Sequence, residues 1–126
     1  MRTMQKATGQ FTVNILPQQD AIGAGRMIIE KDYEGELQGV GKGQMLSKQV
    51  DGGMSVYCAI EEFEGHLAGK SGGFTLLHQG KMSSESRELS VTVIQGSGSG
   101  ELASLTGSMQ INQDENSHTY IFEYSL

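Results

Sequence analysis

The sequence predicts an all-β fold, an antiparallel meander of about eight strands that closes into a barrel or folds as a sandwich. Three observations carry this. Apolar and polar residues alternate at period two in segment after segment, and no window sustains a helical pattern over three turns. The 18 glycines, against one proline, sit between β-branched and aromatic residues, as bent strands require, rather than in a polar linker. With 126 residues the chain fits a single domain, 1–126, large enough to bury roughly 65–70% of its unfolded surface.

Taken in order, Gln10–Ile15 places Phe11, Val13 and Ile15 on one face, and Pro17-Gln18-Gln19-Asp20 is expected to break the strand. Gly25–Tyr33 follows, with Met27, Ile29, Lys31 and Tyr33 alternating against Ile28, Glu30 and Asp32. Gly35–Leu46 carries Gly39, Gly41 and Gly43 on one face, a bare row that lets the strand coil or another group approach its backbone. Asp51-Gly52-Gly53 signals a turn, and Met54–Phe63 and Gly72–Met82 form two apolar strands joined through glycines. Glu88–Ile94 alternates around Leu89, Val91 and Val93. Gly96–Gly100 then leads into Glu101–Leu105, at most a single helical turn. Gly107–Gln113 and His118–Leu126 end the chain on either side of the turn Asp114-Glu115-Asn116-Ser117. An echo, Tyr33-Glu34-Gly35-x-Leu37-x-Gly39 and Phe63-Glu64-Gly65-x-Leu67-x-Gly69, suggests that the chain bends the same way twice.

Composition excludes several function classes. The formal charge is −6, from 9 basic and 15 acidic side chains, and the basic residues are scattered, so no nucleic-acid partner is expected. The longest apolar run, Val56–Ile60, is far short of the roughly 20 residues of a membrane helix, and no membrane association is expected. The single Cys58 cannot form an internal bridge, and the N-terminal residues lack a secretory apolar region. A cytoplasmic location is the expectation.

Familiar catalytic motifs fail on context. Gly65–Ser71 has three residues between its glycines where a phosphate loop needs four, and a strand follows it. Gly69-Lys70-Ser71-Gly72-Gly73 fits the nucleophile-elbow spacing, but no helix follows, so Ser71 reads as a turn residue. Gly96–Gly100 has Glu101 where a dinucleotide fingerprint needs its third glycine. The histidines His66, His78 and His118 share no metal-ligand spacing, and neither a metal nor another cofactor is expected.

Glu61 stands out because it shares a strand face with Tyr57, Ala59 and Phe63. If that face points inward and Glu61 is unpaired, desolvation raises its pKa, by up to about 3–5 units, and it could serve as a proton donor or base. His78, on a face with Phe74, Leu76, Gly80 and Met82, is its expected partner. Two readings stand together: Glu61 and His78 satisfy one another, or they face a ligand.

The ordered set Tyr33-x-Gly35-Glu36-Leu37-x-Gly39, Ala59-x-Glu61-x-Phe63-x-Gly65-x-Leu67-x-Gly69, Gly73-Phe74-x-Leu76-x-His78-x-Gly80, Leu89-x-Val91-x-Val93-x-x-Gly96-Ser97-Gly98-x-Gly100-Glu101-Leu102-x-x-Leu105-x-Gly107 and His118-x-Tyr120-x-Phe122-x-Tyr124-x-Leu126 resembles the bacterial domain-of-unknown-function family 3224. That family in turn looks like the allene oxide cyclase barrel. The resemblance implies a calycin-like, eight-stranded antiparallel barrel with a central cavity. It carries over no catalytic residue of the cyclase, since its water-binding and acidic groups do not map onto this chain. Glu61, His78, Glu101, His118 and Tyr124 are the polar matches.

Three functions follow as expectations. The first is noncovalent binding of a small, partly apolar molecule in the cavity, walled by Tyr57, Phe63, Phe74, His118 and Tyr124. The second is an isomerase, cyclase or hydrolase in which Glu61 is the catalytic acid or base and His78 its partner. The third is a homo-oligomer buried through Val56, Cys58 and Ile60 on the outer face.

Overall fold

The computed structural model describes residues 4–113 and 117–126. The strands are β1 (Gln5–Gln18), β2 (Gly25–Gly35), β3 (Leu37–Gln49), β4 (Ser55–Leu67), β5 (Lys70–Met82), β6 (Arg87–Val93), β7 (Ser99–Gly100), β8 (Thr106–Gln113) and β9 (His118–Ser125). Every pairing is antiparallel, in the order β4-β3-β2-β1-β9-β8-β6-β5, and β4 pairs with β5 to close an eight-stranded barrel. The short β7 lies outside this ring, on the edge of β5 at Gly72 and Gly73. No helix among the described residues is long and apolar enough to cross a membrane.

The period-two pattern fixes which face turns inward. Ala7, Phe11, Tyr33, Leu37, Phe63, Leu67, Phe74, Leu76, Val91, Met109, Tyr120, Phe122 and Tyr124 all point into the barrel and fill one end of it. Aromatic rings run through this half from Phe11 to Tyr33, Phe63, Phe74, Phe122 and Tyr124, each centroid 4.8–5.6 Å from the next. The connection between β6 and β8 folds beneath them and buries Leu102 and Leu105 completely, so this end is plugged. The Tyr120 hydroxyl accepts from the Leu37 amide at 2.9 Å, tying β9 to the β2–β3 turn. On the outside, Leu46, Val56, Cys58 and Ile60 are exposed.

Several expected boundaries move. Pro17 does not end β1, which continues to Gln18. The β1–β9 ladder stops at Phe11 and His118, so Pro17 stands where β1 has β2 on one side only, and a missing amide proton is tolerated there. Strands β4 and β5 run beyond their expected ends and meet in a two-residue turn at Ala68 (φ 50°) and Gly69 (φ 87°). Ser71 is therefore a strand residue, not a turn residue. Residues Glu101–Leu105 form hydrogen-bonded turns, Leu102 N–H to Ser99 O and Leu105 N–H to Leu102 O, without becoming a helix. The echo is not a repeated bend: Gly35 ends β2, whereas Gly65 lies within β4 opposite Gly72. What the two copies share is inward packing of Tyr33 with Phe63 and of Leu37 with Leu67. The expected turn at 114–117 falls outside the described residues except for Ser117.

Candidate functional site

The other half of the barrel is not filled. Above the aromatic core lies a cavity of about 580 Å³ whose walls include Val13, Ile15, Ile29, Met45, Tyr57 and Met82. Part of the cause is visible in the sequence, because between Tyr57 and Glu61 the inward face of β4 carries only the small Ala59, which lines the cavity. Lys31 and His78 lie at the bottom of the cavity, each more than nine-tenths buried.

Beneath them, Glu61 is 2% exposed and holds three donors. Lys31 Nζ lies 3.1 Å and His78 Nε2 2.8 Å from its Oε1, and the Tyr33 hydroxyl donates to Oε2 at 2.5 Å. Lys31 Nζ also stands 4.9 Å over the centre of the Phe11 ring, a cation–π contact. Gly41 makes room for the arrangement, since a β-carbon there would overlap the Glu61 carboxylate and crowd the Tyr33 ring.

The electrostatics reverse the expectation for an unpaired carboxylate. Burial pushes the Glu61 pKa up, but the His78 hydrogen bond, the Lys31 charge, the Tyr33 hydrogen bond and the His78 charge together hold it at about 2. Glu61 is therefore ionised at neutral pH. Burial, reinforced by the Glu61 charge and hydrogen bond, raises Tyr33 well above the ordinary phenol value, so its hydroxyl stays a donor. An ionised carboxylate only accepts, which makes Nε2 of His78 the protonated nitrogen. No described residue partners the remaining ring nitrogen, Nδ1, on a side chain that lines the cavity.

The cavity is open at its end and also along one side. Strands β6 and β8 share one register pair, Thr92 with Ser108, and part beyond it. Leu89 faces inward with Val91, yet it is 45% exposed, and it lines the opening with Arg87, Ile111 and Gln113.

The expected site residues are distributed as follows. Tyr57, His78 and His118 line the cavity, and the His118 ring packs 5.2 Å from Phe11. Glu61 lies below it. Phe63, Phe74 and Tyr124 belong to the packed half, where the Tyr124 hydroxyl donates to Gln5 Oε1 at 3.0 Å. Glu101 is at the plugged end, accepting from the Ser71 amide at 3.0 Å, a bond that lowers its pKa and ties the β6–β8 connection to β5. Phe63 and Phe74 also border a depression of about 660 Å³ on the outer wall, among Lys42, Glu62, Glu64 and Ser97. Among the described residues no three His, Cys, Asp or Glu side chains converge as a metal-binding set.

Lys31 and Tyr33 were not among the expected site residues. The signal was available: Lys31 is a charged residue alternating with Met27, Ile29 and Tyr33, the same anomaly that singled out Glu61.

Comparison with known proteins agrees with this architecture. None of the curated proteins matches the chain. A crystal structure of a protein of unknown function from the DUF3224 family of Shewanella oneidensis MR-1 superposes with a TM-score of 0.89 at 36% identity, covering 97% of this chain and 96% of that one. The family described as protein of unknown function (DUF3224) matches residues 7–124. By that match and that likeness, this eight-stranded barrel with its half-filled interior belongs to the DUF3224 family.

Proposed function

We propose that the protein binds a small, partly apolar molecule in the open half of the barrel. The carrying observation is the cavity itself. At about 580 Å³ it falls within the roughly 300–1,000 Å³ of small-molecule sites, and it combines apolar walls with a few fixed polar groups at its base. Glu61 sets those groups in place, and an anchored lysine and histidine orient a ligand at little entropic cost.

The geometry favours binding over acid–base chemistry at Glu61. A carboxylate held at about 2 does not donate a proton at neutral pH, is a weak base, and is screened from the cavity by its own partners. The resemblance to the allene oxide cyclase barrel is supported by the eight-stranded, cavity-bearing architecture alone. The exposed, unpaired Cys58 thiol supports a cytoplasmic setting.

The test is titration with the neutral fluorophore N-phenyl-1-naphthylamine. The expected result is a saturable, one-site rise in emission that is lost in Ala59→Trp, where an indole occupies the cavity and the circular dichroism is unchanged. A linear, unsaturable response in the wild type, or an equal response in Ala59→Trp, contradicts the proposal.

A further inference from the structure

The chemistry at the base of the cavity narrows what a ligand presents to it. When His78 holds a single proton, Lys31 is the cation at the base, and its charge is already matched by Glu61 at 3.1 Å. A ligand carboxylate would compete with Glu61 for it, leaving one of two buried anions short of a partner, which is expensive. A ligand ammonium would place a second cation beside Lys31 in the same low-dielectric space, with Glu61 already committed to three donors. A neutral group meets neither penalty.

Two hydrogen-bonding positions remain. With Nε2–H given to Glu61, Nδ1 is the ring atom left to the cavity, and it is an acceptor whenever the ring holds a single proton. The Lys31 ammonium has three N–H groups, of which Glu61 takes one and the face of Phe11 another. The third remains to donate. One acceptor and one donor side by side match a group that both donates and accepts. Around them Phe11, Tyr57 and His118 supply aromatic surface.

We infer that the cavity selects a neutral hydroxyl compound, a phenol or alcohol on an aromatic or alicyclic body, whose O–H donates to His78 Nδ1 and accepts from Lys31 Nζ. This rests on the cavity-binding reading above and adds the identity of the head group.

Isothermal titration calorimetry at pH 7 with four ligands of one shape separates the two claims. These are 2-naphthol, naphthalene, 2-naphthoate and naphthalen-2-ylmethanamine, the last two carrying a negative and a positive charge. The expected order places 2-naphthol first, by about tenfold or more over naphthalene from two buried hydrogen bonds. Both ions bind more weakly than 2-naphthol. In His78→Leu, with folding checked by circular dichroism, 2-naphthol loses part of its advantage while naphthalene is unchanged, and an undiminished advantage overturns the head-group inference. Tighter binding of either ion, or equal binding of naphthol and naphthalene in the wild type, overturns the head-group inference and leaves the cavity reading standing. Absence of binding by all four overturns both.

Discussion

Lys31 and Glu61 form a buried ion pair that reaches across an entire strand. Lys31 is on β2 and Glu61 on β4, yet Nζ and Oε1 are 3.1 Å apart, because β3 passes between them as Gly41, paired with Lys31, and Gly43, paired with Glu61. The bare face of β3 is what brings β2 and β4 this close. It lets the charges meet, and at Gly43 it lets the β4 backbone at Ile60 and Glu61 approach closely.

Gly41→Ala forces a methyl group against the Glu61 carboxylate and the Tyr33 ring. The expected loss is about 1–3 kcal/mol of stability, the usual cost of overpacking a filled interior. Urea denaturation measures it, with Val40→Ala on the exposed face of the same strand as a control that changes little. An unchanged midpoint for Gly41→Ala would mean that β3 does not lie against Glu61.

Glu61→Gln leaves the Lys31 ammonium buried without its counter-charge, and about 3–5 kcal/mol of destabilisation is expected. Replacing both partners, Lys31→Met with Glu61→Leu, removes the uncompensated charge and costs clearly less than the sum of the two single changes. A double-mutant cycle reads the difference, and strict additivity would show that the two groups do not interact.

The depressed pKa of Glu61 fixes a pH dependence. Its folded value, about 2, lies below the ordinary 4.5, so the unfolded chain binds more protons between these values and stability falls as the pH drops through that window. The contribution is fully present above about pH 5 and amounts to about 3 kcal/mol. Stability measured from pH 6 down to pH 2 shows this decline in the wild type and a shallower one in Glu61→Gln. Parallel profiles would remove Glu61 as the cause.

The parting of β6 and β8 has its own signature. The Ile94 amide donates to Thr75 O on β5, and the antiparallel ladder alternates, so Leu89 and Arg87 turn their backbone groups towards β8, where no register pair meets them. Hydrogen exchange followed by NMR should show the Leu89 amide exchanging far faster than that of Phe63 in the centre of the sheet. Equal protection would mean that the barrel is closed on this side.

How much of this was legible in the sequence follows from the period of a strand. Alternation around Phe11, Val13 and Ile15, or Leu89, Val91 and Val93, gives the strand and sorts its two faces. The antiparallel meander and the set that Glu61 shares with Tyr57, Ala59 and Phe63 could therefore be read directly, whereas closure into a barrel and the inward turn of that face could not. Strand ends could not, because Pro17 and Gly65 break strands by local preference while edge position and ladder pairing hold them here. The partners of Glu61 divide the same way. His78 sits on the neighbouring strand, within reach of a local argument, whereas Lys31 and Tyr33 lie two strands away and become neighbours only through the bare face of β3. Phe63, Phe74 and Tyr124 look like cavity walls in sequence because alternation distinguishes inside from outside but not one end of a barrel from the other.

The cavity is tested most directly through the methionines that surround it. In protein carrying ¹³C-methyl methionine, 2-naphthol added stepwise should shift the Met45 and Met82 methyl signals along one saturating curve. Met109 in the packed half and Met4 outside the barrel should stay in place. Signals of Met45 and Met82 that remain fixed throughout the titration, or shifts spread evenly over all the methionines, would contradict a binding site in the open half of the barrel.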